Sequence, residues 1–430
     1  MVSRANLCYE GAVSAILPAA AVPGGLPRAT TAEGVGFAGE RLQHLVDVFE
    51  VDVESGAIPG GVLFVARHGK VACLTALGWR DRAARSPMPV DGIFRGASIT
   101  KPLTVAVALT LLDEGLLQLA APVARYLPAL AGLQVGVEQV DGSGERRLTL
   151  EPARREITIQ DLMRHTAGFT YGGFGDSLVQ RAYRAADVVT LRQTNAEMVA
   201  KLATLPLAYQ PGTTFEYGMS IDVLAAVCEA VGGLPFDQLL AQRVTGPLGM
   251  PDTGFLLTDA TRLAEAQADP ATGEPVDLRF LYDPAEPPRW FSGGGGILTT
   301  ATDYGRFAQM LLDGGILDGV RILGRKTVAL MTSDHLPPGV GYGAFTTELG
   351  VTAPFPHWGQ GFGLGVSVRL DAGRAPHPGS VGDFSWAGLS GTYFWVDPAE
   401  RLVAVLMLQA PAVRVYYRSL LRQLVYQALN

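Results

Sequence analysis

Ser98 and Lys101 stand three residues apart in the run Phe94-Arg95-Gly96-Ala97-Ser98-Ile99-Thr100-Lys101-Pro102. A serine hydroxyl becomes a useful nucleophile when a base lies within hydrogen-bond reach. Side chains three apart on a helical turn share one face. From Leu103 to Leu119 the chain is apolar on nearly every side, with Asp113 and Glu114 its only charges. A helix that is hydrophobic all round must be buried on all sides. Pro102 is tolerated only near a helix start. Ser98 is therefore expected at or just before the first turn, where backbone N–H groups lack intrahelical partners.

The lysine is informative by its rarity. Of 34 basic residues only Lys70, Lys101, Lys201 and Lys326 are lysines. Arginine keeps its proton in a protein, whereas a desolvated lysine can give it up and act as a base. The alternative, a capping serine beside a solvated lysine, sits poorly with the buried helix behind the pair.

The elements that would position this pair follow from the pattern around it. Hydrophobic residues make up 48% and charged residues 17% of 430, which describes a chain with a large core. A net charge of −7 and the lack of any basic patch give no reason to expect nucleic acid as a partner. No apolar run is long enough for an integral membrane span. Three widely spaced cysteines make a disulfide framework or structural zinc site improbable, and no cofactor is expected. Residues 1–36 read as a poorly ordered leader. The default location is cytoplasmic, or exported if that leader, apolar from Ala12 to Val22, acts as a signal. The oligomeric state is left open.

A helix through Leu42, Leu45, Val46 and Phe49 precedes a hairpin of Gly60–Ala66 and Val71–Leu77. Helical runs follow: Thr158–His165, Ala196–Leu205, Ile221–Val231, Phe236–Val244, Thr302–Leu312 and Gly324–Thr332. The last hundred residues become sheet-like, and Val413–Leu429 is an amphipathic helix. The expected fold is α+β: an antiparallel sheet flanked by helices, residues 37–112 with 290–430, and an inserted mainly helical domain, residues 113–289.

Two more stretches complete a pattern, Phe215-Glu216-Tyr217-Gly218-Met219-Ser220-Ile221-Asp222 and Phe384-Ser385-Trp386-Ala387-Gly388-Leu389-Ser390-Gly391-Thr392. With Ser98-x-x-Lys101 they resemble the serine β-lactamase and penicillin-binding-protein superfamily, most of all the class C-like family VIII carboxylesterases. The likeness runs from about Ala57 to the C-terminus. It implies that Ser98 is the nucleophile that forms an acyl-enzyme, with Lys101 and Tyr217 as general base and proton shuttle. It also implies an oxyanion hole from the backbone N–H groups of Ser98 and Leu389, and substrate contacts at Trp386, Ala387, Gly388 and Met219. Trp386 could equally be packing beneath the site.

Two departures bear on substrate. Met219 replaces the asparagine of β-lactamases, and Trp386-Ala387-Gly388 replaces their Lys-Thr-Gly, so a group that would meet a drug carboxylate is missing. Family VIII esterases usually show Trp-Gly-Gly, against which Ala387 adds one methyl. The expected substrate is a small-molecule ester of short to medium acyl chain. Acyl transfer to an alcohol or amine, weak β-lactamase or D-amino-acid peptidase activity, and a non-catalytic binding role are the alternatives. A Ser/His/Asp triad through His165 with Asp161 or Asp303 lacks the Gly-x-Ser-x-Gly elbow it would need. Asp222 reads as a helix cap and Gly293–Gly296 as backbone packed against the sheet.

Overall fold

The computed structural model describes residues 24–430. Strands from both ends of the chain form one eight-stranded sheet. In chain order they are β1 (Gly60–Arg67), β2 (Lys70–Asp81), β3 (Ser86–Pro87), β4 (Gln360–Phe362), β5 (Ser367–Arg369), β6 (Phe384–Ala387), β7 (Tyr393–Asp397) and β8 (Leu402–Leu408). They lie side by side as β4-β5-β6-β7-β8-β1-β2-β3, and every neighbouring pair is antiparallel. At the centre β1 pairs with β8, Leu63 opposite Leu406.

The central strands are apolar at successive positions because helices cover both sheet faces. Leu63, Val65, Ala404 and Leu406 point to one core, shared with helices α1 (Gly39–Glu54) and, at the C-terminus, α5 (Arg414–Tyr426). Val62, Phe64, Val403 and Val405 point to the other, shared with α2 (Thr100–Asp113), α3 (Ser220–Gly232) and α4 (Ala301–Leu312). Helix α2 is buried from Thr100 to Leu111. Each leucine fully buried there stabilises the fold by about 1.5–3 kcal/mol. The helix ends at Asp113, short of the expected Leu119, and Leu116 beyond it is exposed.

Asp383, just before β6, accepts hydrogen bonds from two buried arginines. Arg369 of β5 donates at 2.7 Å and Arg422 of α5 at 2.9 Å. A buried carboxylate held by two guanidiniums ties the C-terminal helix to the strand that leads into the site.

Two expectations need correction. Residues 24–36 are packed: Leu26, Ala29 and Val35 are buried, and Ala29 donates its N–H to Val71. Residues 1–23, with the apolar stretch that prompted the signal reading, lie outside the described residues. The segment 113–289 carries a hairpin, Gln134–Val140 with Arg146–Pro152, that its weak alternation did not reveal. Within the sheet-like last hundred residues, Gly361–Val368 contains a turn and is shared between two short strands. Among the described residues, no single helix is long and apolar enough to cross a membrane.

Candidate active site

A single 3-10 turn, Ala97–Ile99, leads directly into α2 and carries Ser98. Ala97 adopts a left-handed φ of 50°, a conformation costing a non-glycine residue on the order of 1 kcal/mol and held only where the surroundings dictate it. They do so here from two sides. Gly96 donates to Ile297 at 2.9 Å, and Ile297 donates back to the Thr100 hydroxyl at 3.2 Å. From the turn after β6, Ser390 and Thr392 donate their hydroxyls to the carbonyls of Arg95 and Gly96, each at 2.7 Å. The turn carrying Leu389 is thus fastened to the turn carrying Ser98.

Lys101, on the first turn of α2, is fully buried. Its Nζ donates to Ser98 Oγ at 3.3 Å, to the Tyr171 hydroxyl at 3.2 Å and to the Gly294 carbonyl at 2.6 Å. It lies 4.6 Å from the centre of the Tyr217 ring. Tyr217 stands just before α3, and its ring packs against His165 at 4.9 Å and Trp386 at 5.5 Å. Ser98, Lys101 and Tyr217, far apart in sequence, therefore converge.

Sequence reasoning missed Tyr171 and misjudged Asp222. Tyr171 donates its hydroxyl to Asp222 Oδ2 at 3.3 Å. Asp222 Oδ1 accepts from the Ser292 hydroxyl and from the Gly294 N–H. So Asp222 is no helix cap; α3 has no side-chain cap. Burial raises its carboxyl above the usual range, opposed first by the Lys101 charge and then by these hydrogen bonds. Burial, with the Asp222 charge next, raises the Tyr171 phenol well above its ordinary value. The glycine run packs against helices and not the sheet: a Cβ on Gly294 would lie 2.3 Å from Asp222 Oδ2. The sequence signal for Tyr171 is its place six residues after His165, in a glycine-flanked aromatic loop.

His165 is buried with neither ring nitrogen bonded. Burial, and then the Lys101 charge, holds its imidazole well below the ordinary range. Asp161 is bound by Arg155, Arg164, Thr158 and Thr166, and Asp303 by Thr253 and the Asp252 N–H. No Ser/His/Asp triad is assembled from these residues.

A cavity of about 300 Å³ opens above Ser98. Its walls are almost entirely apolar, from Phe174, Val189, Leu191, Phe280, Leu281 and Trp290, with Tyr171, Tyr217 and Leu389 near the serine. Among the described residues no lysine, arginine or histidine lines it, and Asp222 brings its one carboxyl group. Three of the expected substrate contacts are placed elsewhere. Trp386 is only 1% exposed, wedged between Tyr217 and Phe362, and Met219 is fully buried in the core. Ala387 packs on the opposite core of the sheet. A strand alternates its side chains between faces, so β6 turns Trp386 inward beneath Tyr217. Gly388 does not line the cavity either; its role is in the turn, where a Cβ would meet Gly96 O at 2.4 Å.

The β-lactamase family model matches residues 45–426. Protein Rv1367c of Mycobacterium tuberculosis is 38% identical over 367 residues, covering 83% of this chain and 87% of its own. Esterase EstB of Burkholderia gladioli is 31% identical over 379 residues, 84% and 88% of the two chains. Among solved structures, EstCE1, described as a hydrolase with promiscuous acyltransferase activity, is similar at a TM-score of 0.75 and 28% identity, covering 90% of this chain and 98% of its own. On this match of sequence and fold, the chain belongs to the serine β-lactamase family.

Proposed function

We propose that the protein is a serine carboxylesterase that hydrolyses neutral esters of short to medium acyl chain through an acyl-enzyme on Ser98. The observation that carries this reading is the Lys101 amine 3.3 Å from Ser98 Oγ at the base of an apolar cavity. Lys101, as the free amine, takes the Ser98 proton while Oγ adds to the ester carbonyl. The backbone N–H groups of Ser98 and Leu389 hold the oxyanion, a device worth roughly 10²–10³ in rate per donor. Collapse expels the alcohol, which receives the proton by way of Tyr217. Water then adds to the acyl-enzyme with the roles reversed, releasing the acid and restoring Ser98.

The cavity supports a neutral substrate. With no cation on its wall, a substrate carboxylate would lose its hydration without gaining a partner. The esterase name of a relative 31% identical to this chain agrees with ester chemistry. Acyl transfer to an alcohol is the second reading. It is favoured by the same apolar cavity, on whose wall an apolar alcohol can compete with water for the acyl-enzyme, and by the acyltransferase activity in the description of EstCE1.

The test is intact-protein mass spectrometry after incubation with p-nitrophenyl butyrate. A stoichiometric butyryl adduct on Ser98, absent in Ser98→Ala, is expected. Undiminished hydrolysis by Ser98→Ala would sink the reading. Added butanol separates the two outcomes by the ratio of butyl butyrate to butyric acid.

A further inference from the structure

Arg418 lies on the apolar side of α5, 3% exposed, with Tyr417, Leu421 and Val425 buried around it. Its Nη2 donates to the carbonyl of Gly388, while its Nε has no partner. Unlike Arg422 one turn later, it has no carboxylate within ion-pair distance among the described residues. Burial lowers its guanidinium to about 9, the neighbouring Arg414 contributing next, so it is charged at neutral pH. A buried charge without a counter-ion is expensive, and an uncharged side chain would pack there at lower cost. The fold keeps the charge and spends it on one backbone carbonyl.

That carbonyl belongs to the peptide whose other end is the Leu389 N–H. The Gly388 carbonyl also accepts from the Gly391 N–H at 3.1 Å, so its orientation is held by two donors. No peptide bond among the described residues is cis, and in a trans peptide the N–H points opposite to the C=O. Leu389 reaches the cavity wall beside Ala97 and Ser98, and its N–H has no hydrogen-bond partner among the described residues. A free N–H on a peptide clamped from behind is the arrangement an oxyanion donor needs. A cationic donor on the carbonyl also polarises the amide and strengthens its N–H as a donor.

We propose that Arg418 is a positioning residue for the oxyanion hole: by gripping the Gly388 carbonyl it fixes and polarises the 388–389 peptide, so that the Leu389 N–H is aimed at the developing oxyanion. This rests on the esterase reading of Ser98. It adds that the C-terminal helix reaches the reacting centre through one side chain that never touches substrate.

The experiment compares Arg418→Gln and Arg418→Lys with wild type on p-nitrophenyl butyrate, together with the rate at which a fluorophosphonate labels Ser98. The fluorophosphonate places its phosphoryl oxygen where the oxyanion would lie. Arg418→Gln is expected to lower kcat roughly 10- to 100-fold, with KM within about twofold, because a misaimed donor forfeits part of what a deleted one does. Labelling slows in step with kcat. Arg418→Lys keeps the charge on a single-pronged donor and is expected to recover most of the loss, ending about three- to tenfold below wild type. Melting curves give the folded fraction of each variant, and if Arg418→Gln does not fold, Arg418→Lys alone carries the comparison. Wild-type kcat and labelling in a folded variant would overturn the proposal, as would a rise in KM at unchanged kcat. Full ester hydrolysis by Ser98→Ala would instead overturn the reading beneath it, whatever the arginine variants do.

Discussion

The Lys101 amine and the Asp222 carboxylate are bridged twice. One bridge runs through the Tyr171 hydroxyl, the other through the backbone N–H and C=O of Gly294. Because Tyr171 gives its proton to Asp222, its oxygen lone pair is left facing Lys101. The N–H groups of the amine are thus engaged by this ring at Tyr171 and Gly294, which leaves the lone pair of the free amine directed at Ser98 Oγ. The ring sets where the lysine points.

Asp222→Ala is therefore expected to damage both stability and rate. It leaves the Ser292 hydroxyl and the Gly294 N–H buried without an acceptor, at about 1–3 kcal/mol each. It also frees Tyr171 to turn its proton toward Lys101. Asp222→Asn keeps the volume and should melt closer to wild type while kcat still falls at least about tenfold, since the alignment of the base is lost. Thermal melts and p-nitrophenyl butyrate kinetics on the two variants check this; an Asp222→Asn enzyme with wild-type kcat would show that the ring is structural only.

Lys101→Arg separates charge from basicity. The guanidinium remains protonated and so cannot take the Ser98 proton. kcat is expected to drop by roughly two or more orders of magnitude. If Lys101 served only as a fixed positive charge, Lys101→Arg would keep substantial activity and Lys101→Met would lose it. Measuring both on one ester decides the point.

How much of this was legible beforehand depends on whether the signal was local. Ser98 and Lys101 share one helical turn, and an all-apolar helix behind them announces its own burial, so spacing alone brought them together. Tyr217 came only from the order of motifs, since nothing in the periodicity around Phe215 distinguishes a core tyrosine from one beside a lysine. Tyr171 escapes notice and Asp222 reads as a helix cap for the same reason: their partners lie 70 and 72 residues away, and no local pattern encodes a ring of hydrogen bonds. The sequence leaves Trp386 open between substrate contact and packing because a strand residue can face either side, and the register that turns it inward is set by pairing with Phe394. Arg418 did leave a trace, an arginine on the apolar stripe of an amphipathic helix.

Glu216, next to Tyr217, gives a pH signature. Burial pushes its carboxyl up to about 7, against the pull of the Thr170 hydroxyl, which donates at 2.6 Å. Below the unfolded pKa near 4.5 both states hold the proton and nothing is lost. As pH rises from there to about 7, the unfolded chain ionises first, so the native state loses relative stability on the order of 3 kcal/mol, and the loss is complete above that window. Other buried groups titrate across the same range, so the difference between wild type and Glu216→Gln is the quantity to measure. The variant is expected to gain in stability over wild type between pH 5 and pH 8 in urea melts. A difference that is flat with pH would contradict the burial argument.

The shape of the cavity and the lack of a cation on its described wall yield the last prediction. Leu191 lines the wall, and Leu191→Trp would extend an indole into a space of about 300 Å³. Each methylene in a hydrophobic pocket is worth roughly 10- to 200-fold in kcat/KM at most. Leu191→Trp should therefore cut kcat/KM for p-nitrophenyl hexanoate by at least about tenfold while leaving the acetate within a fewfold. Turnover of a chromogenic cephalosporin, whose carboxylate finds no lysine or arginine on the wall, should stay at least about a hundredfold below ester turnover in wild type. Introducing a cation at the same wall, as in Leu191→Arg, should narrow that gap by slowing esters and accepting the carboxylate. If Leu191→Trp slows acetate and hexanoate equally, the acyl chain does not occupy this cavity, and the alcohol portion must lie there instead.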